Sequence, residues 1–149
     1  MARLANSRRL PDGHLARAAF ERLAPRLRAV GQMRGTVVRG LEPGWVLMNG
    51  NAPAAASLLD VVVSDPRVAF GEVLAQMHEA AFQRGVGHSA AKTLRRAYAK
   101  ASGTAEAELA AFEAAGLLHR AYQRLRARSK DAVAGKLLRL TRTLVEIDA

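Results

Sequence analysis

The sequence predicts an all-α protein: a helical bundle of five to six helices, with one glycine-rich loop or small hairpin near residues 34–52. Three observations carry that expectation. Half of the 149 residues are hydrophobic but only 5% are aromatic, and alanine and leucine outnumber the β-branched and aromatic residues that a sheet would need. Apolar residues recur at helical spacing along most of the chain. Capping residues punctuate these runs where helices should start and stop. Cysteine is absent, which excludes disulfides, thiolate metal sites and cysteine nucleophiles together.

Residues 1–12 are expected to form a basic, flexible N-terminal arm, and residues 13–149 a single helical domain. The first helix is expected from about His14 to Val30, where Leu15, Ala18, Ala19, Leu23, Leu27 and Val30 share one face. Pro25 lies inside that pattern and predicts a kink, or a break into two short helices, near Ala24. The segment "RGTVVRGLEPGWVLMNGNAP" combines glycines with β-branched residues and is expected as a long loop or small hairpin. A short helix from Pro53 to about Val62 is expected to follow. In "SDPRVAFGEVLAQMHEAAFQRG", Asp65 can cap, Pro66 suits the first helical position and Gly85 can end the helix in a left-handed conformation. There Val73, Leu74, Met77, Ala80 and Ala81 form the apolar face, and Glu72, Gln76, Glu79 and Gln83 the opposite one. Ser89 is expected to cap the helix "AAKTLRRAYAKAS", which Gly103 and Thr104 separate from "AEAELAAFEAAGLLHRAYQRLRARS". A final helix covers about Asp131 to Ile147, either distinct from its predecessor or continuous with it.

Charge supplies the functional expectation. The net charge is +10 with a pI near 11.3, and arginine heavily outnumbers lysine. Such a surplus concerns partners rather than fold, and the guanidinium fork matches phosphate oxygens two at a time. Nucleic acid is therefore the leading anionic partner. Basic and acidic blocks alternate, with no carboxylate from Arg84 to Gly103 and one, Asp131, from His119 to Arg142. Lys92, Arg96 and Lys100, at i, i+4 and i+8, make one stripe, with Arg95 beside it. In "HRAYQRLRARSK", Leu118, Ala121, Tyr122 and Leu125 point one way while Arg120, Arg124, Arg126, Arg128 and Lys130 fan around the rest. Glu106, Glu108 and Glu113 early in that helix and bases late suit the helix dipole, but five cations within eleven residues exceed what the dipole needs. Arg139 and Arg142 continue the pattern, Arg142 being spaced to pair with Glu146. Arg3, Arg8 and Arg9 are the candidate contacts of the arm.

Other features carry ordinary readings. "RGVGHSAAK" lacks the Lys-Ser/Thr of a phosphate-binding loop and is expected as a linker between two helices. Trp45 is expected to anchor a loop. The four histidines are scattered without metal-ligand spacing, and no nucleophile has an evident base. No cofactor, no metal and no enzyme activity are expected. The N-terminus lacks the apolar run of a secretory signal, and "PGWVLMNGNAPAAASLL" is too broken to span a bilayer, so a cytoplasmic protein without a membrane partner is expected.

The stretch "LLHRAYQRLRARSKDAVAGKLLRLTRTLVEID", about a quarter of the chain, resembles the helix pair of the small subunits of multi-subunit CRISPR effector complexes, with leucine-spaced arginines before a second Leu-Leu-Arg-Leu helix. That resemblance implies a non-catalytic bundle lining an RNA-guided complex. Its copies would stack along a guide–target duplex, or hold displaced DNA through phosphate contacts. From the residues alone the expectation is coarser: a largely sequence-independent nucleic-acid-binding subunit of a ribonucleoprotein assembly, contacting other subunits and further copies of itself. The rivals are a phage or plasmid DNA-binding or packaging factor, and a helical adaptor for an acidic protein surface.

Overall fold

The computed structural model describes residues 13–31, 33–38, 46–49, 52–56, 61–128 and 130–146. The expected arm with Arg3, Arg8 and Arg9, and the expected loop anchor Trp45, lie outside them. Among the described residues five helices form the predicted helical bundle: α1 (Gly13–Ala29), α2 (Pro66–Arg84), α3 (Ser89–Ser102), α4 (Glu106–Ala127) and α5 (Ala132–Glu146). Between α1 and α2 the described residues form four short strands, β1 (Gly35–Val38), β2 (Val46–Asn49), β3 (Ala52–Ala56) and β4 (Val61–Ser64).

Two expectations about this first half need correcting. Helix α1 continues through Pro25 as one element, so the expected alternative of a break into two short helices does not form. Pro25 is exposed, as is Glu21, whose carbonyl has no N–H to accept from at that position. The expected short helix from Pro53 to Val62 does not form. Instead β3 pairs antiparallel with β2, and β4 with β1, as nested two-stranded ladders, more strand than a single small hairpin. The alanines of this stretch favour helix locally. Val61, Val62 and Val63, however, are opposite Val38, Val37 and Thr36, and β-branched residues favour strand over helix locally. The β2–β3 register shifts beside Pro53, which has no N–H to give to a ladder.

The boundaries of α2 are those the sequence predicts. Asp65 accepts from the Arg67 N–H at 3.0 Å, Pro66 opens the helix, and Gly85 ends it at φ 66°. Helix α3 begins one residue earlier than expected: Ser89 lies inside it, and its N-cap, His88, makes no side-chain capping bond. Between α4 and α5 the chain breaks at Arg128, which is extended, and Asp131 caps α5 by accepting from the Ala134 N–H at 2.8 Å. The last two helices are therefore distinct.

The core lies between α1, α2, α4 and α5. Ala16, Ala75, Leu117, Leu118, Ala121, Leu125, Ala134, Leu137 and Leu138 form its centre, and Leu23, Ala111, Ala114 and Val145 a second cluster. Helices α2 and α4 run parallel and very close. A Cβ on Gly71 would strike the Phe112 carbonyl, and one on Gly116 would lie 2.6 Å from the Gly71 carbonyl oxygen. Only glycine at both positions permits this approach. The face of α2 that looked polar is consequently pressed against α4: Gln76 and Glu79 are buried and Glu72 is half-buried, leaving Gln83 exposed.

Arg67 joins the strands to the bundle. It is 3% exposed, forks onto Asp65 (3.0 and 2.7 Å), and reaches Glu108 (3.2 Å) and the Gly31 carbonyl (3.0 Å). Its guanidinium also lies 4.8 Å from the centre of the Phe112 ring. That hydrogen-bonded pairing holds the Asp65 carboxyl below the usual carboxylate range and pushes Arg67 up.

Candidate functional site

The arginines of "HRAYQRLRARSK" divide into two groups. Arg120 and Arg124 turn towards α2, against the expectation that they face outward with no acid near. Arg120 Nε lies 2.5 Å from Glu79, and its guanidinium 3.6 Å from Glu72. Arg124 reaches Glu79 at 2.6 Å and forks onto Asp131 at 2.9 and 3.0 Å. Hydrogen bonding to Arg124 holds Asp131 below the usual carboxylate range and raises Arg124. Their Glu72 and Glu79 partners come from more than 40 positions away in sequence, where helix periodicity cannot see them. Arg95 is likewise engaged: it contacts Glu113 at 2.7 Å and Glu106 at 3.8 Å. Arg142 pairs with Glu146 at 2.7 Å on the exposed surface, as its spacing suggested.

Every described carboxylate has such a partner. Glu21, Asp65, Glu72, Glu79, Glu106, Glu108, Glu113, Asp131 and Glu146 each lie against an arginine. The remaining positive charge is left over. Lys92, Arg96, Lys100, Arg126, Arg128, Lys130 and Arg139 are all exposed, and among the described residues none makes an ion pair. Arg28, Arg34, Arg84 and Lys136 join them, the last with its ammonium 5.8 Å from the Phe82 ring centre.

Topology collects much of this surplus at one end. Helices α2 and α4 end where α3 and α5 begin, as three contacts show: Glu79 to Arg124, Phe82 to His88 (ring centres 4.4 Å) and Lys136 to Phe82. Arg84, Lys92, Arg126, Arg128, Lys130 and Lys136 therefore surround this end. Its two described carboxylates, Glu79 and Asp131, are turned inward. From there the stripe Lys92–Arg96–Lys100 runs along α3. Helix α3 buries a single residue, Ala91, and its far end rests on Tyr98 stacked against Phe70 at 3.9 Å.

A buried polar chain runs inside the bundle that helical periodicity does not announce. His78 on α2 lies 2.6 Å from Glu113, which holds Arg95 with its other oxygen, and 2.8 Å from His88. The spacing of the histidines suggested no carboxylate partner; packing of α2 on α4 supplies one. The signal that could have found it is Glu113 itself, a lone charge within the apolar run "LAAFEAAGLL".

A cleft of about 880 Å³ opens between the end of α1, β4, α2 and α4. Met33, Val63 and Val68 are exposed on it. Its acids, Asp65 and Glu72, already face Arg67 and Arg120, and burial pushes the Glu72 carboxyl up. Arg34 and His119 complete a lining of mixed charge that selects no single ligand class. Among the described residues no group of three or more histidine, aspartate or glutamate side chains could hold a metal ion, and no helix is long and apolar enough to cross a membrane. Comparison of the chain with protein-family models, curated proteins and solved structures finds no match.

Proposed function

We propose that the protein is a non-catalytic, largely sequence-independent nucleic-acid-binding subunit, whose phosphate contacts come from the end of the bundle ringed by Arg126, Arg128 and Lys130 and from the α3 stripe Lys92–Arg96–Lys100. One observation supports this best. With every described carboxylate against an arginine, a set of exposed cations makes no ion pair among the described residues, concentrated at one end and along one helix. Such crowding is unfavourable in isolation and is relieved when a polyanion releases its counterions on binding. Positions i, i+4 and i+8 of a helix are about 6 Å apart along its axis, a spacing a phosphate backbone can follow, and backbone contacts carry no sequence information. A ribonucleoprotein assembly, the setting implied by the resemblance to small CRISPR effector subunits, is the context proposed for it.

Filter-binding titrations of single- and double-stranded RNA and DNA at several salt concentrations test this reading. Affinity should fall steeply with salt and vary little with sequence. Reversing Arg126, Arg128 and Lys130 to glutamate should weaken binding and flatten the log–log salt slope by about 0.7–0.9 for each phosphate that is no longer neutralised. Arg120 and Arg124 are unsuited to this test, since reversing them would break the interior. A flat salt response in the parent protein, or unchanged binding by the folded variant, would overturn the reading.

A further inference from the structure

The contact between His78 and His88 joins α2 to the start of α3. Two ring nitrogens, both Nδ1, lie 2.8 Å apart, so one must donate and the other accept, with one proton between them. His78 Nε2 is 2.6 Å from a Glu113 oxygen and donates to that carboxylate. In the neutral pair His78 Nδ1 is therefore the acceptor and His88 Nδ1–H the donor. One further proton can be absorbed. Whichever ring takes it then carries both hydrogens and donates from Nδ1 to the other ring, so the contact survives. A second further proton cannot. Both Nδ1 atoms would carry hydrogen, and two cations would face each other at hydrogen-bond distance.

The surroundings offer no compensation for that state. His88 occupies the N-cap of α3, at the positive end of the helix dipole. Lys92 lies one turn further on, and Lys136 of α5 sits over Phe82, whose ring edge meets His88. Among the described residues the carboxylate facing the pair is Glu113 of α4, already shared by His78 and Arg95. Burial, then the neighbouring His78 and Lys92, push the His88 imidazole below its ordinary value of 6.5. Besides this contact, the first half of α3 is held by Ala91, its one buried residue, and by Arg95 on Glu113.

We propose that the His78–His88 contact is a proton-operated latch on α3, closed while the two rings share one proton and open once both are cationic, so that acidification frees the start of α3 and the Lys92–Arg96–Lys100 stripe it carries. The direction follows from linkage. An undocked His88 takes up its proton near 6.5 and a docked one resists. The contact's contribution to docking is thus complete above that pH and declines below it, as the pair takes up its second further proton. This latch concerns how α3 docks, whatever the stripe binds, and its test contains no nucleic acid.

Amide hydrogen-exchange protection factors, which normalise for intrinsic exchange rates, would be measured for each helix at pH 7.5 and pH 5 in the parent protein and in His88→Phe. In the parent, α3 protection should fall at least about tenfold relative to α4 on acidification. In His88→Phe, whose ring can still pack on Phe82, α3 protection should not change relative to α4. Should that variant fail to fold, ring-nitrogen NMR of the parent decides instead. The appearance of a second imidazolium should coincide with loss of α3 protection. Unchanged protection in the parent, an equal loss in His88→Phe, or two cationic rings with α3 still protected would each overturn the latch.

Discussion

Arg124 and Arg126 stand two positions apart in the triplet "RLR", yet their removal should differ in consequence by an order of magnitude in folding equilibrium or more. Arg124 is the partner of two nearly buried carboxylates, Glu79 and Asp131, whose side chains are 8% and 7% exposed. Breaking a fully buried ion pair by removing one partner costs about 3–5 kcal/mol. Three features reduce this figure: Arg124 is itself 24% exposed, Glu79 retains Arg120, and Asp131 retains the Ala134 N–H. Arg124→Ala should therefore destabilise by about 2–3 kcal/mol, a fall in Tm of about 5–10 °C for a chain of this size. Arg126 is exposed and makes no ion pair among the described residues, so Arg126→Ala should stay within about 0.5 kcal/mol of the parent. Urea unfolding of both variants, with the m-value checked for constancy, measures the contrast. In a double-mutant cycle, Glu79→Gln should cost less on the Arg124→Ala background than alone. Equal midpoints for the two alanine variants would refute the inward orientation of Arg124.

Gly116→Ala gains helix propensity, about 1 kcal/mol, but places a Cβ against the Gly71 backbone, so the net effect should be a loss of about 1–3 kcal/mol; a more stable variant in thermal melts would show that α2 and α4 do not touch there. Lys92→Ala, Arg96→Ala and Lys100→Ala combined should leave Tm nearly unchanged while weakening nucleic-acid binding, because all three side chains are exposed. A collapsed melt would mean that the phase of α3 is wrong. Asp65 and Asp131 both titrate below the usual carboxylate value of 3.8, each through hydrogen bonding to an arginine. The unfolded chain therefore binds protons first, and the stability these carboxylates contribute is complete above about pH 4 and declines below it. The stability gap between the parent and Asp131→Asn should narrow as pH falls from 6 to 3; a constant gap would contradict the pairing with Arg124.

How much of this was legible beforehand depends on the range of the interaction concerned. The helix ends at Asp65, Pro66, Gly85 and Gly103 are set by capping and left-handed glycine geometry, which act within a few residues, and they fall where the sequence places them. The outward phase of Lys92, Arg96 and Lys100 was equally readable, because α3 buries so little. The strands over 52–64 were not, because alanine-rich segments favour helix until a partner such as β1 pairs with their valines.

The sequence by itself determined the helical bundle, the ends of α2 and its surplus of positive charge, since composition, capping and 3.6-residue periodicity are local quantities. Tertiary structure alone decided which charges are neutralised internally. Glu72 and Glu79 looked like a solvated face of α2, and Arg120 and Arg124 like a solvated face of α4. Gly71 and Gly116 bring those helices so close that the two faces meet and neutralise one another. His78 found Glu113 and His88 in the same way, across the gaps between helices. Coulombic attraction and hydrogen bonding depend on distance in space, which helix periodicity does not encode, so Arg126, Arg128 and Lys130 could be told from Arg120 and Arg124 only once the helices had packed.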